Sequence, residues 1–175
     1  IAMKNLNQIT ALVTGANRGI GHALVAALLQ RGVSRVWATA RNLDTLAFND
    51  PRVQPAALDV RNPEDAYRLA ERAGDVNLLI NNAGTLKSYD LLTAPMEALA
   101  TDFETNFYGL VHMARAFAPV LEAHQGSMAN VLTLVSVASM PAIGGYSASK
   151  AAAWSLTQAL RAQLGARGIN VHGVY

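Results

Sequence analysis

Ile9-Thr10-Ala11-Leu12-Val13-Thr14-Gly15-Ala16-Asn17-Arg18-Gly19-Ile20-Gly21 is the stretch that decides the fold. Residues 9–14 are apolar and rich in β-formers, which predicts a short buried strand. Residues 22–30 show helical spacing, with Ile20, Leu24 and Leu28 along one side, and Gly32 stops the pattern. Three glycines therefore stand where a buried strand turns into a helix. Glycine lets the backbone turn tightly and approach a phosphate, and a helix N-terminus offers unpaired N–H groups to an anion. That context is what a dinucleotide fingerprint requires. The spacing is G-x3-G-x-G rather than the common G-x-G-x-x-G, and taken alone it also suits an ordinary turn.

Outward from this turn, strand and helix alternate. Residues 35–41 read as a second strand, with Arg41 just past its end, and residues 42–48 as a short helix stopped by Asn49-Asp50-Pro51. A third strand is expected over 53–60, ending in Leu58-Asp59-Val60. A helix follows over 63–73, with Asn62 as its cap, Pro63 at its first position and Glu64 and Asp65 in its first turn. A fourth strand, 76–80, runs into Asn81-Asn82-Ala83-Gly84, and residues 85–92 read as a loop. Apolar residues recur at three- and four-residue steps over 95–124, predicting a long helix that holds Asn106 and is kinked by Pro119. A fifth strand is read over 129–135, ending in Ser136. A helix from Tyr146 to about residue 166 and a sixth strand over 169–174 complete the pattern. The expected fold is α/β: one Rossmann-like, doubly wound parallel sheet of six strands, forming a single domain over 1–175.

Composition narrows the chemistry. Half of the 175 residues are apolar, 51%, and only 15% are charged, which is a compact rather than a disordered composition. The absence of cysteine excludes disulfides, thiolate zinc sites and cysteine nucleophiles. No metal site is expected. A net charge of +2, with no run of like charges, gives little support for a nucleic-acid partner. No apolar run reaches the ~18 residues of a membrane span and no signal peptide opens the chain, so no membrane partner and a cytoplasmic location are expected.

Two further patterns carry chemistry. Tyr146 and Lys150 stand four residues apart and so share one helix face. An ammonium beside a phenol favours the phenolate, and a tyrosine tuned in this way exchanges protons with a carbonyl or alcohol oxygen. On the spacing alone, the pair also suits a packed ring beside a solvated amine. The tip of the second strand in such a sheet faces the adenine ribose. An acidic residue there suits a 2′-hydroxyl and an arginine suits a 2′-phosphate. Arg41 at that tip, with Arg18 in the glycine turn, points to NADP(H) rather than NAD(H).

Thr14-Gly15-Ala16-Asn17-Arg18-Gly19-Ile20-Gly21, Asn81-Asn82-Ala83-Gly84, Ser136 and Tyr146-Ser147-Ala148-Ser149-Lys150 together resemble the short-chain dehydrogenase/reductase family, in order and relative spacing, along residues 9–174. The resemblance implies an NADP(H)-dependent oxidoreductase that interconverts a carbonyl and a secondary alcohol. Tyr146 would be the general acid or base. Lys150 would lower its pKa and bind the nicotinamide ribose, and Ser136 would hydrogen-bond the substrate oxygen. Asn106 would position a water between Lys150 and solvent. Gly15, Asn17, Arg18, Gly19, Ile20, Gly21 and Arg41 would bind the cofactor. Asp59 would accept from the adenine amino group beside the Val60 backbone, and Asn82, Ala83 and Gly84 would line the cofactor. His112 matches no family site and is read as packing or solvent-facing.

The resemblance also implies a small-molecule carbonyl or alcohol substrate, and a homodimer or homotetramer formed through helices 95–124 and 146–166. It departs from the family in two places. Only ten residues separate Ser136 from Tyr146, a shortened interval. Past the sixth strand the family continues with a Pro-Gly turn, a substrate-covering segment and a seventh strand; that C-terminal part is absent from this sequence, and the fold is expected to continue beyond Tyr175. The alternative to an enzyme is a non-catalytic, NADP(H)-sensing binding protein of the same fold. It would need only the glycine turn and Arg41.

Overall fold

The computed structural model describes residues 5–175; residues 1–4, the start of the domain read over 1–175, lie outside them. Six parallel strands form one sheet among the described residues: β1 (Thr10–Val13), β2 (Arg35–Ala40), β3 (Val53–Ala57), β4 (Leu78–Asn81), β5 (Ser127–Val131) and β6 (Asn170–Val174). Their spatial order is β3-β2-β1-β4-β5-β6. The order reverses between β1 and β4, and the crevice at their carboxyl ends is where such sheets bind ligands. β3 lies at the edge, and there its Pro55, opposite Ala38, is tolerated because an edge strand has a side that needs no ladder donor.

Period-two side chains explain the two layers of helices. Ala11 and Val13 of β1 point to one face, packing with Val25 of α1 (Gly19–Gln30). Leu12, between them, points to the other. There it joins Leu79, Met113, Phe117 and Leu121 in a core built with α2 (Pro63–Arg72), α4 (Gly109–Ala123) and α5 (Gly144–Gly165). α2 begins as its sequence dictates: the Asn62 side chain accepts from the Glu64 N–H at 3.0 Å, and Pro63 occupies the first turn.

Several expectations are revised. Ile20 is 64% exposed, and α1 instead buries Gly21 and Val25, with Leu24 and Leu28 partly covered. Residues 42–48 form only a 3-10 turn, Leu43–Thr45: Asn42 caps Asp44, and from Leu46 the chain is extended, with Leu46 and Phe48 packed against the core. The long helix over 95–124 is three segments end to end: α3 (Met96–Phe103), a π-helical turn (Glu104–Tyr108) and α4, which runs through Pro119. β5 ends at Val131, so Ser136 lies not at a strand end but in a separate 3-10 turn, Leu134–Ser136.

Candidate active site

At the crevice, β1 and β4 are tied together by side chains. The Thr14 Oγ1 accepts from the N–H groups of Asn82 and Ala83, both at 2.9 Å. The Asn82 amide returns two bonds, to the carbonyls of Thr14 at 2.9 Å and Gly15 at 3.2 Å. Gly21 is packed so closely on this lock that a Cβ would fall 2.2 Å from the Gly15 carbonyl oxygen and 2.5 Å from the Asn82 Nδ2. Gly15 turns the chain with φ +66°. α1 has neither a side-chain cap nor an acidic residue in its first turn, so its leading N–H groups are not met by a side chain. Close backbone approach and an uncapped helix N-terminus are what a pyrophosphate needs, so the residues present fit a dinucleotide.

Toward the other end of the crevice, Arg41 is exposed just past β2. Asp59, expected to accept from the adenine amino group, is gripped by Arg61: Nε lies 3.0 and 3.1 Å from its two oxygens and Nη2 lies 2.6 Å from Oδ2. The Arg61 guanidinium, with Arg41 farther off, holds the Asp59 carboxyl below its usual range. Arg61 follows the motif and was not singled out in the sequence. Val60 beside it is buttressed by α4. His112 Nδ1 is 2.9 Å from the Val60 carbonyl, and a Cβ on Gly109 would meet Val60 Cγ2 at 2.7 Å. His112 thus packs through a specific hydrogen bond.

Tyr146 and Lys150 lie on the first two turns of α5, with Nζ 6.0 Å from the Tyr146 ring centre. Lys150 is only 6% exposed and donates to the Val131 carbonyl at the end of β5, at 3.1 Å. Burial pushes its amine down to about 8. Burial, and secondarily the Asp102 charge, pushes the Tyr146 phenol up. This reverses the expected depression by Lys150. A desolvated amine with a lowered affinity for its own proton is a weaker positive neighbour, and the half-buried phenol loses more hydration on ionising than that neighbour restores.

Burial of Lys150 has a measurable consequence. Its folded value of about 8 lies below the ordinary 10.5. Between those values the unfolded chain binds the extra proton, so the buried amine's cost is complete below pH 8 and is relieved as pH rises through the window. From pH 7 to pH 10.5, wild type gains about 3 kcal/mol relative to Lys150→Met. Urea unfolding of both at several pH values measures this, and a difference that stays constant with pH contradicts it.

Asn106 sits in the π-helical turn, a feature that recurs at functional sites. Both of its amide hydrogens are used. Oδ1 accepts from the Thr85 N–H, and Nδ2 donates to the Thr85 carbonyl and to the Ser149 hydroxyl, all at 2.9 Å. Ser149 in turn donates to the Tyr146 carbonyl at 2.7 Å. Asn106 therefore grips the loop and α5 directly. Any water it positions beside Lys150 would have to donate to an oxygen of Asn106, since both amide hydrogens are engaged. Asn106 and Lys150 do converge: a Cβ on Gly84 would lie 3.2 Å from Asn106 Oδ1 and 3.5 Å from Lys150 Nζ. Ser136 is buried, its Oγ accepting from the Thr133 N–H at 3.2 Å, and its turn packs against α5.

Four contributors escaped the sequence reading: Thr14, Arg61, Ser149 and Asp102. Ser149 lies inside the quoted Tyr-to-Lys pentapeptide, where its spacing from Tyr146 was available as a signal. Asp102 is one helical turn before Asn106, but nothing in its neighbours marks it. It is wholly buried and accepts from the Lys87 and Ser88 N–H groups at 2.9 Å and from the Ser88 hydroxyl at 2.6 Å.

Comparison with known proteins gives the family. The family described as short chain dehydrogenase matches residues 9–175. Carbonyl reductase (NADPH) 2 of Sus scrofa is 30% identical over 174 residues, covering 97% of this chain and 71% of the relative. The NADPH-dependent 1-acyldihydroxyacetone phosphate reductase of Schizosaccharomyces pombe is 33% identical over 171 residues, covering 93% of this chain and 57% of that one. A short chain dehydrogenase from Burkholderia cenocepacia J2315, crystallised in complex with NADP, superposes with a TM-score of 0.90 at 40% identity, over 95% of this chain and 70% of its own. The chain belongs to the short-chain dehydrogenase/reductase family.

Proposed function

We propose that this chain is an NADP(H)-dependent oxidoreductase that interconverts a carbonyl and a secondary alcohol, with Tyr146 as its general acid and base. The observation that carries the reading is the convergence of Lys150 and Asn106 over Gly84, two residues past the Asn82 that locks the glycine turn. Acid–base groups and a dinucleotide cradle thereby share one crevice.

The cradle is Gly15, Asn17, Arg18, Gly19, Ile20 and Gly21, continued by Asn82, Ala83 and Gly84. Arg41 and Arg18 would take the 2′-phosphate, and Val60, backed by His112, would border the adenine. Asp59 would have to release Arg61, or share it, to meet the adenine amino group. When bound, the nicotinamide supplies or accepts the hydride. In the reductive direction, Ser136 donates a hydrogen bond to the substrate oxygen and Tyr146 delivers a proton to it. A phenol held above its usual value stays protonated at neutral pH, which suits that direction. Lys150 supports Tyr146 from the adjacent turn and would reach the nicotinamide ribose.

The rival reading, a cofactor-sensing protein without catalysis, would use Lys150 only to hold the nicotinamide ribose and gives Tyr146, one helical turn away on the same face, no task. Incubation with NADPH or NADH and a panel of aldehydes and ketones separates the two readings. The enzyme oxidises NADPH in preference to NADH, whereas binding without oxidation across the panel favours the sensor. We also propose self-association through helices 95–124 and 146–166. Exposed Met96 and Tyr108 lie on the first of these, and partly buried Trp154 and Leu156 on the second. Light scattering giving the mass of a single chain at micromolar concentration contradicts that part.

A further inference from the structure

The stretch from Thr85 to Tyr89 is held from below by two residues one helical turn apart. Asn106 grips Thr85 through both its backbone groups. Asp102 grips Lys87 and Ser88 with three hydrogen bonds. Asp102 and Ser88 are both 0% exposed, while Lys87 and Tyr89 on either side of Ser88 face solvent. A buried carboxylate is costly unless it is paired, yet among the described residues no lysine or arginine forms an ion pair with Asp102. The Ser88 hydroxyl is wedged against the first turn of α5: a Cβ on Gly145 would fall 2.3 Å from Ser88 Oγ and 2.9 Å from Leu99 Cδ1. Gly145 immediately precedes Tyr146. The chain of contact therefore runs from Asp102 through Ser88 to the backbone that presents Tyr146.

We propose that Asp102 is a positioning residue for the reaction: its buried carboxylate clamps Lys87 and Ser88 beneath the first turn of α5, fixing the wall of the crevice beside Tyr146. This rests on the reading of Tyr146 as the acid–base residue. A carboxylate suits the task because it can accept all three hydrogen bonds at once, whereas an asparagine turns an amide donor toward one of those donors. Burial raises the Tyr146 phenol, and the same carboxylate adds to that shift. Of the other charged groups nearby, Lys150 shares the helix of Tyr146, Lys87 is exposed, Asp90 accepts from the Leu92 N–H, and Glu104 is exposed on the side of Arg61.

The test compares wild type, Asp102→Asn and Ser88→Ala, each saturated with NADPH, on one carbonyl substrate over a range of pH. Asp102→Asn lowers kcat/KM by about 10–100-fold with NADPH affinity little changed, because a small misplacement of a reacting group is costly. It also moves the alkaline loss of activity to lower pH, since removing a like charge makes Tyr146 more acidic. Ser88→Ala weakens the clamp but keeps the charge, so it lowers kcat/KM less and leaves the alkaline limb in place. Amide hydrogen exchange across residues 85–89, measured without substrate, is faster in both variants. A folded Asp102→Asn protein with wild-type kcat/KM and an unmoved limb overturns the proposal. Should Asp102→Asn fail to fold, wild-type kinetics and exchange in Ser88→Ala overturn it. An inactive wild type, or an active Tyr146→Phe protein, defeats the acid–base reading instead, and the exchange result alone then decides the clamp.

Discussion

Tyr146→Phe loses carbonyl reduction, with kcat down by about 1,000-fold, while its affinity for NADPH stays within about twofold of wild type. The substitution removes one oxygen and leaves the ring that packs in the crevice. The anchors of that turn do not involve the phenol. Ser149 holds the Tyr146 carbonyl, and the Ser147 hydroxyl donates to Ile143 at 3.0 Å and accepts from the Met140 N–H at 3.3 Å. The fold and the glycine turn therefore remain, and what disappears is the proton donor. Initial rates of NADPH oxidation, paired with a fluorescence titration of NADPH, measure the two quantities separately. Near-wild-type turnover in this variant would show that the proton comes from elsewhere.

Gly21→Val abolishes cofactor binding and destabilises the protein. At this position even a Cβ lands 2.2 Å from a backbone oxygen and 2.5 Å from the amide that locks β1 to β4. Neither partner can turn away as a flexible side chain would, so α1 must shift off the crevice. The cost is about 3 kcal/mol, at the upper end of ordinary overpacking, and NADPH affinity falls by more than about 100-fold because the helix N-terminus no longer faces the pyrophosphate. Gly165→Ala is the matched control. It lies at the end of α5 with no atom within 4 Å of its added Cβ, and NADPH binding there is unchanged. Thermal unfolding and NADPH titration of the pair measure the effect. Wild-type binding by Gly21→Val contradicts the placement of the cofactor over α1.

The succession of six strands and intervening helices along the chain was legible because a buried parallel sheet writes itself as short apolar runs separated by capped, periodic segments. Asn62 and Pro63 announced α2 for reasons local to the chain. The glycine turn was legible too, since close backbone approach leaves glycine no substitute. What the sequence hid depends on partners far away in the chain. Thr14 and Asn82 are 68 residues apart, and neither carries a mark of the other. The π-helical turn at Asn106 leaves apolar periodicity nearly intact, so a helix pattern runs straight through it. Asp102 reads as an ordinary helical acid until burial removes its water. The Tyr146–Lys150 spacing was read correctly as a shared face, but the sign of the phenol's shift was not. Spacing reports proximity, whereas desolvation depends on everything packed around the pair.

The most direct test of the central claim follows deuterium rather than absorbance. The protein is incubated with NADPH carrying deuterium at both C4 positions and a reactive aldehyde or ketone, and the product alcohol is analysed by mass spectrometry. The account predicts one deuterium on the carbinol carbon of the wild-type product and no product from Tyr146→Phe. NADPH that binds yet leaves no labelled alcohol, or labelled alcohol formed equally by both proteins, would contradict it.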